Sequence, residues 1–154
     1  VSHIDDGTPG QRDRLHLATW VAGELANLVD IPVVGNATYS GHAIGNVNNN
    51  GARYIAMGNF SQNWNFATRT GLASITNFDS LNVNLNTASG NGRDFSSTGL
   101  ASGTSVAVTA AGVNGAFFRA PTDVAGVAPS GVGGQFSINA TGNYQAAGTF
   151  VAKK

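Results

Sequence analysis

The stretch from Gly112 to Lys154 constrains this chain more than any other. It holds three runs of alternating apolar and polar residues: one ends in Phe117 and Phe118, one centres on Phe136 and Ile138, and one runs from Tyr144 to Val151. Glycines punctuate all three, and a loop rich in Pro and Gly separates the first two. Side chains that alternate with period 2, turn residues between runs and Gly at close backbone approaches describe antiparallel sheet.

The same grammar extends backward. Ala37–Val47 sets Tyr39, Gly41, Ala43, Gly45 and Val47 on one face. Asn48-Asn49-Asn50-Gly51 follows as a hairpin signal, because Asn-Gly accepts the positive φ of a type I′ turn. A second long run carries Tyr54, Ala56, Gly58, Phe60, Gln62, Trp64 and Phe66 on one face, and Gly58 reads as a bend or bulge in it. Trp64 is assigned to the core with Phe60 and Phe66. Thr68-Arg69-Thr70-Gly71 turns the chain, Leu72–Phe78 returns, and weaker strands are expected at Leu81–Ala88, Asp94–Ala101 and Ser105–Ala110. The expected fold is all-β, an up-and-down antiparallel β-barrel of about eight strands with a filled interior. Small residues among large rings on one face are what a narrow lumen requires, and closure removes the exposed edges.

Charges divide the chain into residues 1–34, an N-terminal arm, and residues 35–154, the barrel domain. Seven of the sixteen charged residues (Asp5, Asp6, Arg12, Asp13, Arg14, Glu24 and Asp30) precede Pro32. Two readings of the arm stay open. Thr8-Pro9-Gly10-Gln11 fits a capping box, with Leu15, Ala18, Val21, Leu25 and Leu28 at helical spacing after it. Arg14–Ala22 also fits one strand, and the all-β body pulls toward that reading although propensity slightly favours the helix. The chain opens on Val1, which reads as a processing boundary, so it is expected to be part of a longer precursor.

Composition removes several functions. Charged residues make up 10% of the chain, against about 25% in an average protein, and the formal net charge is +0. No field is available to recruit nucleic acid or an anionic membrane. With 42% hydrophobic residues the chain is not of disordered composition. There is no cysteine, hence no disulfide, thiolate metal site or cysteine nucleophile, and no apolar run approaches a spanning helix.

Catalytic and metal-binding patterns find no support. His3, His16 and His42 lack ligand spacing, so no metal and no cofactor are expected. Asp5-Asp6-Gly7 lacks the later oxygen ligands of a calcium loop. Asp79, Asp94 and Asp123 each stand beside turn residues and read as turn formers, not as paired carboxylates. The sequons at Asn36, Asn59 and Asn139 read as products of an Asn/Thr-rich composition.

Five motifs in order resemble a known family. They are Gly35-Asn36-Ala37-Thr38-Tyr39-Ser40-Gly41, Asn65-Phe66-Ala67-Thr68-Arg69-Thr70-Gly71, Gly115-Ala116-Phe117-Phe118, Gly133-Gly134-Gln135-Phe136 and Ala147-Gly148-Thr149-Phe150. Together they resemble the eight-stranded barrel of transferrin-binding-protein-B-like bacterial surface proteins, from Gly35 to Lys154. The resemblance implies the barrel, a location at the bacterial outer-membrane surface or outside the cell, and Arg14–Ala22 as a strand leading in. It does not imply a ligand. Where the family continues Phe-Phe-Gly-Pro, this chain has Phe118-Arg119-Ala120-Pro121 and then a long connection, Thr122 to Val132.

The expected function is a non-catalytic domain that binds a protein partner. Phe117, Phe118, Arg119, Pro121 and Trp20 are the candidate binding residues, because aromatic and Arg side chains anchor interfaces. In the bland alternative, one of the two Phe rings fills the barrel and the other covers its wall. A second function is a structural subunit of a surface assembly or filament, self-associating through the arm. A third, least favoured, is a carrier of a small apolar ligand.

Overall fold

The structure, a computed structural model, describes residues 19–154. The capping box, Asp5-Asp6-Gly7, His3 and His16 lie outside the described residues, as does most of the Arg14–Ala22 segment.

The described residues form nine strands, with one short 3-10 turn (Leu28–Asp30) between the first and the second. They are β1 (Glu24–Leu25), β2 (Asn36–Asn49), β3 (Ala52–Asn65), β4 (Thr70–Phe78), β5 (Leu81–Ala88), β6 (Asp94–Leu100), β7 (Val108–Arg119), β8 (Gly131–Ala140) and β9 (Tyr144–Lys153). The order is β1-β7-β6-β5-β4-β3-β2-β9-β8, and a further pairing of β7 with β8 closes an eight-stranded barrel. Every pairing is antiparallel. Strand β1 joins the same sheet, pairing Glu24 with Arg119 and Leu25 with Phe118. It takes up the β7 ladder just beyond Asp94↔Ala116, where β6 begins.

The turns form where their residues permit. Asn50 and Gly51 both have positive φ and close the β2–β3 hairpin with Asn49 opposite Ala52. Asp79 and Ser80 do the same between β4 and β5.

The lumen is filled. Trp64, Tyr39, Phe60, Phe78, Phe117 and Phe150 are buried in it. Tyr39, Trp64, Phe66 and Phe95 gather around the Phe117 ring, with centroids 5.4 to 5.6 Å from it. Glycine provides the room: a Cβ on Gly115 would lie 2.6 Å from the Phe95 ring and 2.8 Å from the Phe150 ring. One polar pair shares this interior, with the Gln62 amide nitrogen donating to the Thr87 hydroxyl at 2.9 Å.

Three expectations need correction. Gly58 is not a bulge: the β2–β3 register runs unbroken from Asn36↔Asn65 to Asn49↔Ala52. Instead, its missing side chain accommodates Phe78 and the Thr76 carbonyl oxygen, 2.8 Å from where a Cβ would stand. Ser105–Ala110 is not a strand of its own. Residues 101–107 form a loop against β5, in which the Thr104 and Ser105 hydroxyls accept from the backbone N–H groups of Asn84 and Asn82. Those hydroxyls occupy ladder positions that a strand would otherwise fill, so β7 begins at Val108. In the arm, neither a helix nor a strand covers residues 19–22. The local strand is Glu24–Leu25, with a 3-10 turn at Leu28–Asp30.

Candidate functional site: the capped barrel end

The barrel end nearest Tyr39 and Trp64 is covered by two segments, residues 26–35 and the 120–130 connection. Each is organised by an aspartate. Asp123 accepts the backbone N–H groups of Ala120 (3.1 Å) and Ser130 (2.8 Å) and the Ser130 hydroxyl. Its pKa therefore falls below the ordinary carboxylate value: the Ser130 hydroxyl bond leads, burial opposes it, and the two backbone bonds and the Lys154 charge add to it. Asp30 accepts from the Asn27 amide at 2.9 Å and pairs with the Arg119 guanidinium at 3.2 Å. The backbone joins the two segments directly, Gly126 N–H donating to the Asp30 carbonyl at 2.9 Å.

Beneath them, Pro32 is buried and Ile31 is half-buried against the core. A small void of about 50 Å³ remains between Ile31, Pro32, Trp64, Phe66 and Arg69. The Trp64 indole nitrogen and the Tyr39 hydroxyl are both buried without a hydrogen-bond partner. Burial raises the Tyr39 pKa well above its usual value, and the Asp123 charge adds to the effect.

The five sequence-derived candidates separate here. Phe117 is fully buried at the centre of the ring cluster, so it can only support a binding surface from beneath. Phe118 points to the outer wall, where Gly23 and Val21 cross it: Cβ atoms on Gly23 and Gly133 would meet the Phe118 ring, and one on Gly133 would meet Val21. Arg119 is tied to Asp30, with Glu24 at 3.6 Å from its Nε. Pro121 is exposed, and Trp20 is 78% exposed on the irregular chain ahead of β1.

Sequence reasoning missed the residues that contribute most exposed apolar surface. Val29 is 89% exposed, and Val33, Val34, Val124 and Val127 are exposed beside it on the two capping segments. The signal was present as a Val-rich composition flanking Pro32 and Pro129, but valine in a β-rich chain reads first as strand.

A closed eight-stranded antiparallel barrel with one end capped by its own N-terminal segment is the class that this fold defines. No family model and no curated protein sequence matches the chain. Solved structures do. A transferrin binding protein B variant from Haemophilus parasuis Hp5 is similar at TM-score 0.63 with 20% identity, over 85% of this chain and 28% of that one. Intact Ap-TbpB, with its N and C lobes, is similar at TM-score 0.59 and 18% identity, again over 85% and 28%. A structure described as a surface lipoprotein is similar at TM-score 0.53 and 14% identity, over 85% of this chain and 65% of that one. The fold is that of the transferrin-binding-protein-B barrels, as the five motifs implied. The chain spans little more than a quarter of the transferrin-binding proteins and about two thirds of the surface lipoprotein.

Proposed function

We propose that this chain is a non-catalytic barrel domain displayed at a bacterial cell surface, and that it holds a protein partner at its capped end. The observation that carries this reading is the concentration of exposed apolar side chains there. Val29, Val33, Val34, Val124 and Val127 stand out on two segments that are hydrogen-bonded to each other, and Trp20 is exposed on the chain that leads into the first of them. Exposed apolar patches of this kind mark interaction sites. Phe118, Arg119 and Pro121 form the neighbouring wall of that surface, and Phe117 fixes it from inside. The barrel likeness to transferrin binding protein B and to a surface lipoprotein supports both the location and the class. Of the arm, the described part folds back onto its own barrel through β1 and the Arg119–Asp30 pair, so it lends no support to arm exchange between copies.

The test has two halves. Antibody or protease access to the domain on intact cells reads its location; a domain reached only after lysis defeats the surface assignment. Immobilised domain is then incubated with serum proteins, beside a Val29→Asp/Val124→Asp double variant of unchanged melting temperature. A partner retained by the wild type and lost by the double variant supports the capped end as the site. Equal retention by both excludes it.

A further inference from the structure

The end of the barrel opposite the cap carries a different surface. Strand β4 accompanies β3 only from Asn65↔Thr70 to Asn59↔Thr76 and then turns away at Asn77, whose φ is 55°. The preceding residues of β3, Ala52–Gly58, pair with β2 on one side and with no described strand on the other. Ile55 is 51% exposed and Met57 61% exposed on the outer face of this free edge.

Its hydrogen-bonding capacity can be counted. In a two-residue hairpin the residues flanking the turn, here Asn49 and Ala52, form a hydrogen-bonded pair, and the pairs alternate from there. Tyr54 and Ala56 therefore direct N–H and C=O toward β2, whereas Arg53, Ile55 and Met57 direct theirs away. The parity checks itself further along: Asn59, next in the odd series, is where the β4 ladder starts. The free edge thus offers three N–H and three C=O groups in a row, flanked by two large apolar side chains. Proteins ordinarily blunt such an edge, because it is a template for another strand.

We propose that this edge pairs with the same edge of a second copy, joining two barrels through an antiparallel two-fold contact centred on Ile55. The sequence Ala52-Arg53-Tyr54-Ile55-Ala56-Met57-Gly58 is self-complementary in that register. Ile55 meets Ile55 of the second copy across the axis. Tyr54 lies opposite Ala56, a ring against a methyl group, and Ala52 lies opposite Gly58. Arg53 lies opposite Met57 and can lay its aliphatic stem along the thioether. The two arginines stand four residues apart along the ribbon, about 13 Å, beyond the roughly 8 Å screening length at physiological salt. Three reciprocal pairs make six backbone hydrogen bonds, and an isologous contact of this kind closes as a dimer without growing into a fibre. Tyr54 is held for the contact, donating to the Asp79 carboxylate at 2.6 Å.

Sedimentation of the full chain across a concentration series tests the contact, with three variants beside the wild type. The wild type dimerises reversibly; a monomer up to about 0.1 mM, already a weak contact, overturns the proposal. Ile55→Pro removes an N–H that faces away from β2, so the barrel keeps its melting temperature and the dimer is lost. Met57→Lys sets two Lys–Arg repulsions across the axis and raises the dissociation constant roughly tenfold. Adding Arg53→Glu to Met57→Lys restores dimerisation through Glu–Lys pairs between copies. The single and double charge variants keep the test decisive if Ile55→Pro fails to fold. A dimer indifferent to all three variants uses another surface and overturns the proposal. The Val29→Asp/Val124→Asp variant dimerises like the wild type, which separates this contact from the capped end.

Discussion

Phe60 and Phe150 stack inside the barrel with ring centroids 4.0 Å apart and planes 13° from parallel. The two rings come from β3 and β9 and meet over β2, where Gly41 is paired with Phe60 and Ala43 with Phe150, so small residues beneath and beside them leave the room. Gly115 sits against the edges of both Phe150 and Phe95.

Gly115→Ala is therefore expected to cost about 1–3 kcal/mol, the range for overpacking a filled interior. Denaturant unfolding measures it. Gly99→Ala, at a position where a Cβ meets nothing within 4 Å, is the control and changes stability by less than about 0.5 kcal/mol. Equal effects at the two sites would show that the lumen is not packed as described.

Tyr39→Phe should leave stability unchanged or raise it. The Tyr39 ring packs 5.6 Å from Phe117, yet its hydroxyl is buried with no partner, and an unsatisfied buried polar group costs roughly 1–3 kcal/mol. Removing the oxygen keeps the ring contact and removes that cost. The comparison is a melting curve of the two proteins at neutral pH, and a clear loss in the variant would mean that the hydroxyl has a partner.

Much of this interior was legible in the sequence, for a physical reason. Period-2 alternation fixes the face of every second residue once one is known, so Tyr39, Phe60, Trp64 and Phe150 fall inside together, and Asn50-Gly51 dictates its own turn. The same rule, applied to Gly115 as an interior position, places Phe117 inside and Phe118 outside. What alternation could not reveal was pairing that depends on neighbours distant in sequence. The 101–107 loop binds β5 through hydroxyls, which hydropathy does not register. The cap is irregular backbone held by Asp30 and Asp123, and each looks like an ordinary turn aspartate until Arg119 and Ser130 are brought beside it. The free edge of β3 is invisible in principle from β3 itself, since it arises where β4 leaves.

Acid should loosen the cap first. Asp123 has its pKa depressed by the Ser130 hydroxyl bond, so the folded state holds its proton less tightly than the unfolded chain does. Its contribution is then present above the unfolded value of about 3.9 and is lost as pH falls through the lower folded value. Thermal melts from pH 6 downward should show the wild type losing more stability over that acid window than Asp123→Ala, which has already lost the bonds. Parallel curves would remove Asp123 from the account.

Arg119→Met should open the cap without unfolding the barrel. Arg119 joins β7 to the N-terminal segment through Asp30 at 3.2 Å and, more loosely, through Glu24. Both partners remain partly exposed, so the lost attraction is screened, while methionine keeps most of the apolar stem. The residual burden is an Asp30 carboxylate left with the Asn27 amide as its partner, on the residue whose backbone carbonyl accepts the Gly126 N–H where the two capping segments meet. Global stability is expected to fall by no more than about 1 kcal/mol. Hydrogen exchange should speed up by a larger factor at Ala26 and Gly126, whose N–H groups bond Phe117 and Asp30 across the joint, than at the β2–β3 ladder. If exchange rose equally in both places, the cap and the barrel would be one cooperative unit, and the capped end would not be an adaptable surface.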